Sequence, residues 1–131
     1  MKLILHADGA SRGNPGQAAI GATIKDGEGQ LLASISQQIG RATNNQAEYR
    51  AVIAALKEAV NLGAGEVDVY LDSELVVKQV NGSYRVRNAA LKPLYLEMKE
   101  LAASFKGFSI SHIPRRQNAE ADDLANAAFK Q

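Results

Sequence analysis

Residues 45–72 read NQAEYRAVIAALKEAVNLGAGEVDVYLD, and the fold turns on them. The first part has a helical period, with Val52, Ala55, Leu56, Ala59 and Val60 recurring three and four apart. Asn61-Leu62-Gly63 supplies a stop, because glycine tolerates the left-handed backbone that ends many helices. EVDVYLD, residues 66–72, then alternates as a strand, with Val67, Val69 and Leu71 on one face. A helix followed directly by a strand calls for a crossover connection and a parallel neighbour.

Upstream the pattern differs. KLILHAD (2–8), AAIGATIKD (18–26) and LLASISQQI (31–39) read as three strands. NPGQ and Gly27-Glu28-Gly29 between them are turn formers, so these strands pair as antiparallel hairpins. Downstream, SELVVKQV is a short helix stopping at Asn81-Gly82, and 89–105 is a longer one. Pro93 is tolerable there only in the first turns. FSISHIP (108–114) is a last strand, and a final helix runs from near Asn118. The order β-β-β-α-β-α-α-β-α gives an α/β fold: a mixed sheet with helices on its faces.

The 131 residues suit one domain, 1–131, with one core. There is no cysteine, which excludes disulfides and thiolate metal sites. No run of 18 apolar residues is present, so no membrane span is expected. MKLILHADGA is too soon interrupted for a signal peptide, so the expected location is cytoplasmic. The net charge of +1 does not advertise a nucleic-acid binder. Charge distribution matters more than the total, since reserving several acids for cations leaves a basic surplus.

Asp8 closes the first apolar run and Asp72 closes the fourth strand. In open α/β sheets, ligands bind beyond the carboxyl ends of parallel strands. If those two strands are neighbours, two carboxylates lie side by side and repel unless a cation fills the gap. Glu48 shares a helical stripe with Val52, Ala55 and Ala59, so it points at the sheet. Asp122 stands at the margin of the Ala121, Leu124, Ala125, Ala128 stripe, and spacing alone does not choose it over Asp123. Each residue has a simpler reading taken singly. Asp8 before Gly9 suits an Asx turn, Asn45-x-x-Glu48 looks like a capping box, and Asp72-Ser73 can cap a helix. Glu120, Asp122 and Asp123 can complement a helix N-terminus. Their convergence on one end of one sheet is what single readings leave unexplained. Carboxylates without His or Cys suit Mg²⁺ or Mn²⁺.

Four blocks, HADGASRGNPG (6–16), ATNNQAEYRAVIAAL (42–56), VYLDSELVV (69–77) and IPRRQNAEADDLAN (113–126), come in the order found in ribonuclease H type 1, and the chain resembles that family nearly end to end. The resemblance implies a five-stranded mixed sheet, order 3-2-1-4-5, flanked by helices. It implies hydrolysis of the RNA strand of an RNA–DNA hybrid with two Mg²⁺ ions per site, Mn²⁺ substituting, to leave 5′-phosphate and 3′-hydroxyl ends. It matches the family's catalytic, metal-holding carboxylates to Asp8, Glu48, Asp72 and Asp122. Asp8 would bridge both ions, and Glu48 would hold one ion and touch the ribose 2′-hydroxyl. Asp122 would complete the second ion's shell. Asn14, Asn44 and Asn45 match positions that bind nucleic-acid backbone or minor-groove edges, and Ser11, Ser73 and Glu74 match neighbouring contacts. A monomer is expected.

The chain departs from the family in two places. Many members carry a histidine in the loop after the last strand; here that loop holds Arg115 and Arg116, which bind phosphate but cannot act as bases. Arg115 is the first candidate and Arg116 the second. His112 and His6 read as strand residues. Many members also carry a basic, tryptophan-containing protrusion. This chain has no tryptophan, and NGSYRVRNAALKP (81–93) offers only Arg85, Arg87 and Lys92, with Tyr84 expected to pack against the sheet. The alternative is a catalytically weak module of the same fold that binds hybrid or double-stranded RNA. Related nucleases acting on DNA lack the TNNQAE block, and a phosphotransferase lacks its GxxxxGK loop.

Overall fold

The central strand of the sheet is β1, Lys2–Gly13, and its two partners differ in direction and in length. A computed structural model describes residues Met1–Gln131. β2 (Gly16–Asp26) pairs antiparallel with β1 along its whole length, from Leu3↔Asp26 to Gly13↔Gly16. β4 (Glu66–Leu71) pairs parallel with β1 only from Lys2↔Glu66 to Ala7↔Leu71. β3 (Leu31–Ala42) and β5 (Gly107–His112) form the edges, giving the order β3-β2-β1-β4-β5. The predicted element order and sheet order both hold.

The helices are α1 (Asn44–Asn61), α2 (Glu74–Val80), α3 (Lys92–Ala103) and α4 (Ala119–Ala128), with a 3-10 turn at Arg115–Gln117. Odd-numbered β1 residues Leu3, Leu5 and Ala7 face α1, where Val52, Ala55, Leu56 and Ala59 close the core with Val67, Val69 and Leu71. Tyr49 is fully buried and donates its hydroxyl to Gln79 Oε1 at 2.7 Å, which joins α1 to α2. α4 lies against β2, β1 and β3. No helix is long and apolar enough to cross a membrane.

Several local expectations need correcting. β1 does not end at Asp8; it continues five residues further as half of a hairpin, turning at Asn14-Pro15. The capping box of α1 is Thr43 with Gln46, not Asn45 with Glu48, which frees Glu48 for another partner. α2 is capped by Ser73, whose Oγ accepts from Val76 N at 3.3 Å, so Asp72 is likewise free. α3 begins at Lys92 rather than at 89, because Asn88 Oδ1 takes the Ala90 N–H at 2.8 Å in a separate turn. Val60 is 46% exposed and lies outside the α1 core stripe. Tyr84 is 47% exposed and meets Lys78, whose Nζ donates to its hydroxyl at 3.2 Å, rather than the sheet.

Two glycines set how closely the helices approach β1 and β2. A side chain at Gly9 would overlap the Ala47 backbone of α1, and one at Gly21 would overlap Ala121 and Ala125 of α4. Gly21 is the β2 residue paired with Asp8. Gly21→Ala is therefore expected to lower stability by about 1–3 kcal/mol, since backbone rather than a flexible side chain must move. Urea denaturation measures this, and wild-type stability in that variant would show that α4 does not seat on Gly21.

Candidate active site

Asp8 follows the last residue of β1 that β4 covers, and Asp72 follows the last residue of β4. The two carboxylates thus meet where the sheet forks. Glu48 reaches the same point from α1, and its Oε1 accepts the Gly9 N–H. Carboxylate oxygens of Asp8, Glu48 and Asp72 all lie within 4.8 Å of one another. Asp8 is 6% exposed and Glu48 5%. Asp122, in the first turn of α4, lines the same cleft, whereas Asp123 is exposed and does not. Of the two aspartates, only Asp122 is brought to the cleft.

Burial and mutual repulsion govern this cluster. Burial pushes the Asp8 carboxyl far above the usual range, and the charges of Glu48 and Asp72 push it further. Burial also raises Glu48, opposed by the N–H that Gly9 donates to it. Asp8 and Glu48 titrate as a pair rather than as two independent acids. A cation removes the repulsion. The donor set is all carboxylate oxygen, which fits a hard divalent ion.

The cleft has a volume of about 430 Å³ and a single apolar lining residue, Ala10, so it suits a polar, charged ligand. Of the other residues the sequence singled out, Ser11, Asn44, Asn45, Ser73 and Arg115 line it. Asn44 Oδ1 accepts from Ser11 N at 3.0 Å, and Asn44 N donates to Asn14 Oδ1 at 3.1 Å. Asn14 therefore holds the start of α1 to the hairpin and does not line the cleft itself. The Ser11 hydroxyl has two carbonyls within reach of its single proton, that of Gly13 in the hairpin and that of Ala42 at the end of β3. Glu74 is exposed and paired with Lys78 at 2.5 Å, away from the cleft. Arg115 Nη2 lies 3.5 Å from Asp122 Oδ1, while Arg116 turns the other way, to a separate cavity it shares with His6 and Asn118.

His6 stacks on Tyr70 with ring centroids 5.2 Å apart and is held below its usual pKa by burial, in keeping with a strand residue. His112 ends β5 opposite Leu71 and does not line the cleft. Sequence reasoning missed Gly9 and Asn126 as lining residues. The signals were there. Gly9 is the neighbour of Asp8, and Asn126 lies one helical turn after Asp122.

A family model described as reverse transcriptase-like matches residues 6–128. Bifunctional protein Rv2228c of Mycobacterium tuberculosis is 47% identical over 130 residues, covering 98% of this chain and 36% of the relative. Ribonuclease HI of Halobacterium salinarum is 46% identical over 122 residues, covering 93% of this chain and 61% of the relative. The chain spans less than two thirds of the length of either. The crystal structure of the Halobacterium enzyme superposes with a TM-score of 0.97 at 43% identity, over 99% of this chain and 98% of that one. LC11-RNase H1, isolated from compost, was solved in complex with RNA/DNA hybrid and superposes with a TM-score of 0.92 at 40% identity, over 98% and 96% of the two chains. The chain belongs to the ribonuclease H type 1 family.

The raised carboxyl pKa has a sign that can be tested without ions. The folded protein keeps a proton that the unfolded chain releases near pH 4, so folding becomes less favourable as pH rises above about 4. In chelator, the melting temperature is expected to fall between pH 5 and pH 8. Asp8→Asn should flatten that dependence and gain on the order of 2 kcal/mol at pH 8, less at pH 5. Parallel pH profiles for variant and wild type would contradict the reading.

Proposed function

We propose that this chain is an endoribonuclease that hydrolyses the RNA strand of RNA–DNA hybrids, residues 1–131 acting as one ribonuclease H type 1 domain. The observation that carries the reading is the convergence of Asp8, Glu48, Asp72 and Asp122 on one polar cleft. The fold is shared with a protein solved in complex with RNA/DNA hybrid. Asp8 and Asp72 would be the principal ligands of two Mg²⁺ ions, with Mn²⁺ as a substitute. Two such ions, when bound, supply an activated water and a stabilised leaving oxygen for in-line displacement. The products carry 5′-phosphate and 3′-hydroxyl ends.

The chain's own residues do the positioning. Gly9 fixes one oxygen of Glu48, which leaves the other free for an ion and for the ribose 2′-hydroxyl. Only RNA carries that hydroxyl, so this contact selects the strand to cut. Asp122 would add a fourth carboxylate to hold the ions. Arg115 is exposed enough to exchange Asp122 for a substrate phosphate. Asn44, Asn45 and Ser73 present neutral donors and acceptors to the backbone and minor groove, which reads shape rather than sequence. Arg116, Glu74 and Asn14 contribute less directly, through the outer surface or the hairpin. The setting proposed is a cytoplasmic monomer.

The test is a gel assay with labelled RNA–DNA hybrid, duplex RNA, single-stranded RNA and duplex DNA, each with Mg²⁺, Mn²⁺ or chelator. Metal-dependent cutting of the hybrid's RNA strand is expected. Asp72→Asn should lower cleavage by at least about a thousand-fold while hybrid binding is kept or improved, because a charge repelling phosphate is gone. Wild-type turnover by that variant would sink the metal assignment. Binding without cutting by the wild type would favour a weak binding module.

A further inference from the structure

Asn118 occupies the N-cap position of α4. Asparagine is favoured there because its side-chain oxygen accepts a first-turn N–H. This one makes no such bond. Its Nδ2 donates instead to the carbonyl of Ala7 at 2.9 Å. The residue is 1% exposed, and its Oδ1 has no hydrogen-bond partner in the protein. Forgoing a cap and leaving a buried oxygen unmatched both cost stability. What is gained is one buried bond from the start of α4 to the residue directly before Asp8.

The main chain of Asn118 completes the connection. Its carbonyl accepts the Asp122 N–H at 3.0 Å. One residue therefore touches the neighbour of Asp8 with its side chain and Asp122 itself with its backbone. The other tethers of α4 do not reach β1 beside Asp8. Ser36 Oγ donates to Leu124 O at 2.6 Å, Gln38 Nε2 donates to Ala128 O at 2.9 Å, and Lys25 pairs with the exposed Glu120 at 2.7 Å. The backbone contact at Gly21 lies under Ala121 and Ala125. The Ser36 and Gln38 bonds hold the middle and the far end of the helix, whereas Lys25 holds the exposed side of its first turn and Gly21 seats Ala121 against β2. Asn118 is the buried tether at the end that carries Asp122.

We propose that Asn118 is a positioning residue, which sets the separation of the Asp8 and Asp122 carboxylates and so the affinity of the ion they share. It does not line the cleft and touches no substrate. The inference rests on the reading above that these carboxylates hold divalent ions.

The experiment uses the full chain and Mn²⁺ alone, with affinity measured by calorimetry and melting temperature measured in chelator. Asn118→Ser keeps a capping hydroxyl but cannot reach Ala7, and Asn118→Ala removes both. Each is expected to weaken Mn²⁺ binding about ten-fold, the size of effect seen when groups that orient metal ligands are removed. The serine variant should melt within a few degrees of wild type. On hybrid, kcat at fixed Mg²⁺ should fall while KM stays unchanged. In an Asp122→Asn background, Asn118→Ser should change Mn²⁺ affinity less than about two-fold, because the partner it acts through is gone. Lys25→Ala, which cuts the surface tether, should leave Mn²⁺ affinity unchanged. Wild-type affinity in both Asn118 variants would overturn the proposal. So would the same loss in Lys25→Ala, or a loss that persists in the Asp122→Asn background. A wild-type chain that neither binds Mn²⁺ nor cuts hybrid would sink the functional reading, and this inference with it.

Discussion

The unequal length of the two ladders on β1 is the constraint on which the site depends. Parallel pairing to β4 stops at Ala7↔Leu71, while antiparallel pairing to β2 continues to Gly13↔Gly16. Beyond Ala7, β1 has a neighbour on one side only. The missing neighbour leaves a notch at the fork, and Asp8 and Asp72 are the first residues on its two sides. The extended hairpin arm then forms one wall, since Ser11 meets Asn44 at the start of α1. Had β4 run five residues further, its ladder would have filled the notch.

The electrostatics follow from that geometry. Two carboxylates are buried nearly completely and a third is half-buried beside them, with no Lys or Arg paired to Asp8, Glu48 or Asp72. The one nearby cation is Arg115, on an exposed turn, and it meets only Asp122. A structural ion-pair network would place its counter-charges inside. Here the surroundings supply backbone N–H and amide groups, and the Gly9 N–H offsets part of the burial that raises Glu48. The cluster destabilises the ion-free protein and is balanced when a cation enters, so its cost depends on conditions rather than being a fixed property of the fold.

Much of this was legible in sequence. The change of period from two to 3.6 located α1, and the strand after it set the parallel pair that brings Asp8 to Asp72. What sequence could not show was which polar residue answers which partner. Asn45, Glu48, Asp72 and Ser73 all satisfy capping rules, and the backbone chose Thr43 with Gln46, and Ser73, for that work. The choice is made by tertiary distance, which a local motif does not contain. The same limit applies to Arg115 and Arg116. Consecutive in sequence, they sit on a 3-10 turn that sends them to opposite sides of one ridge. The end of β1 was misplaced for a related reason, because Asp8 ends one ladder but not the other.

The seat of α4 on the sheet has a thermodynamic side as well. The contact is made through Gly21, Ala121, Ala125 and Ala128, residues with almost no side chain to bury. Close approach through such residues brings backbones together but removes little apolar area from water. α1, with Tyr49, Val52, Ile53 and Leu56 in the main core, is anchored far more strongly. α4 is therefore held by backbone contact and by hydrogen bonds to β1 and β3 more than by buried apolar area. Three of the four carboxylates stand on or beside elements locked by the main apolar core, and the fourth rides on a helix whose place is set by polar bonds and close backbone contact.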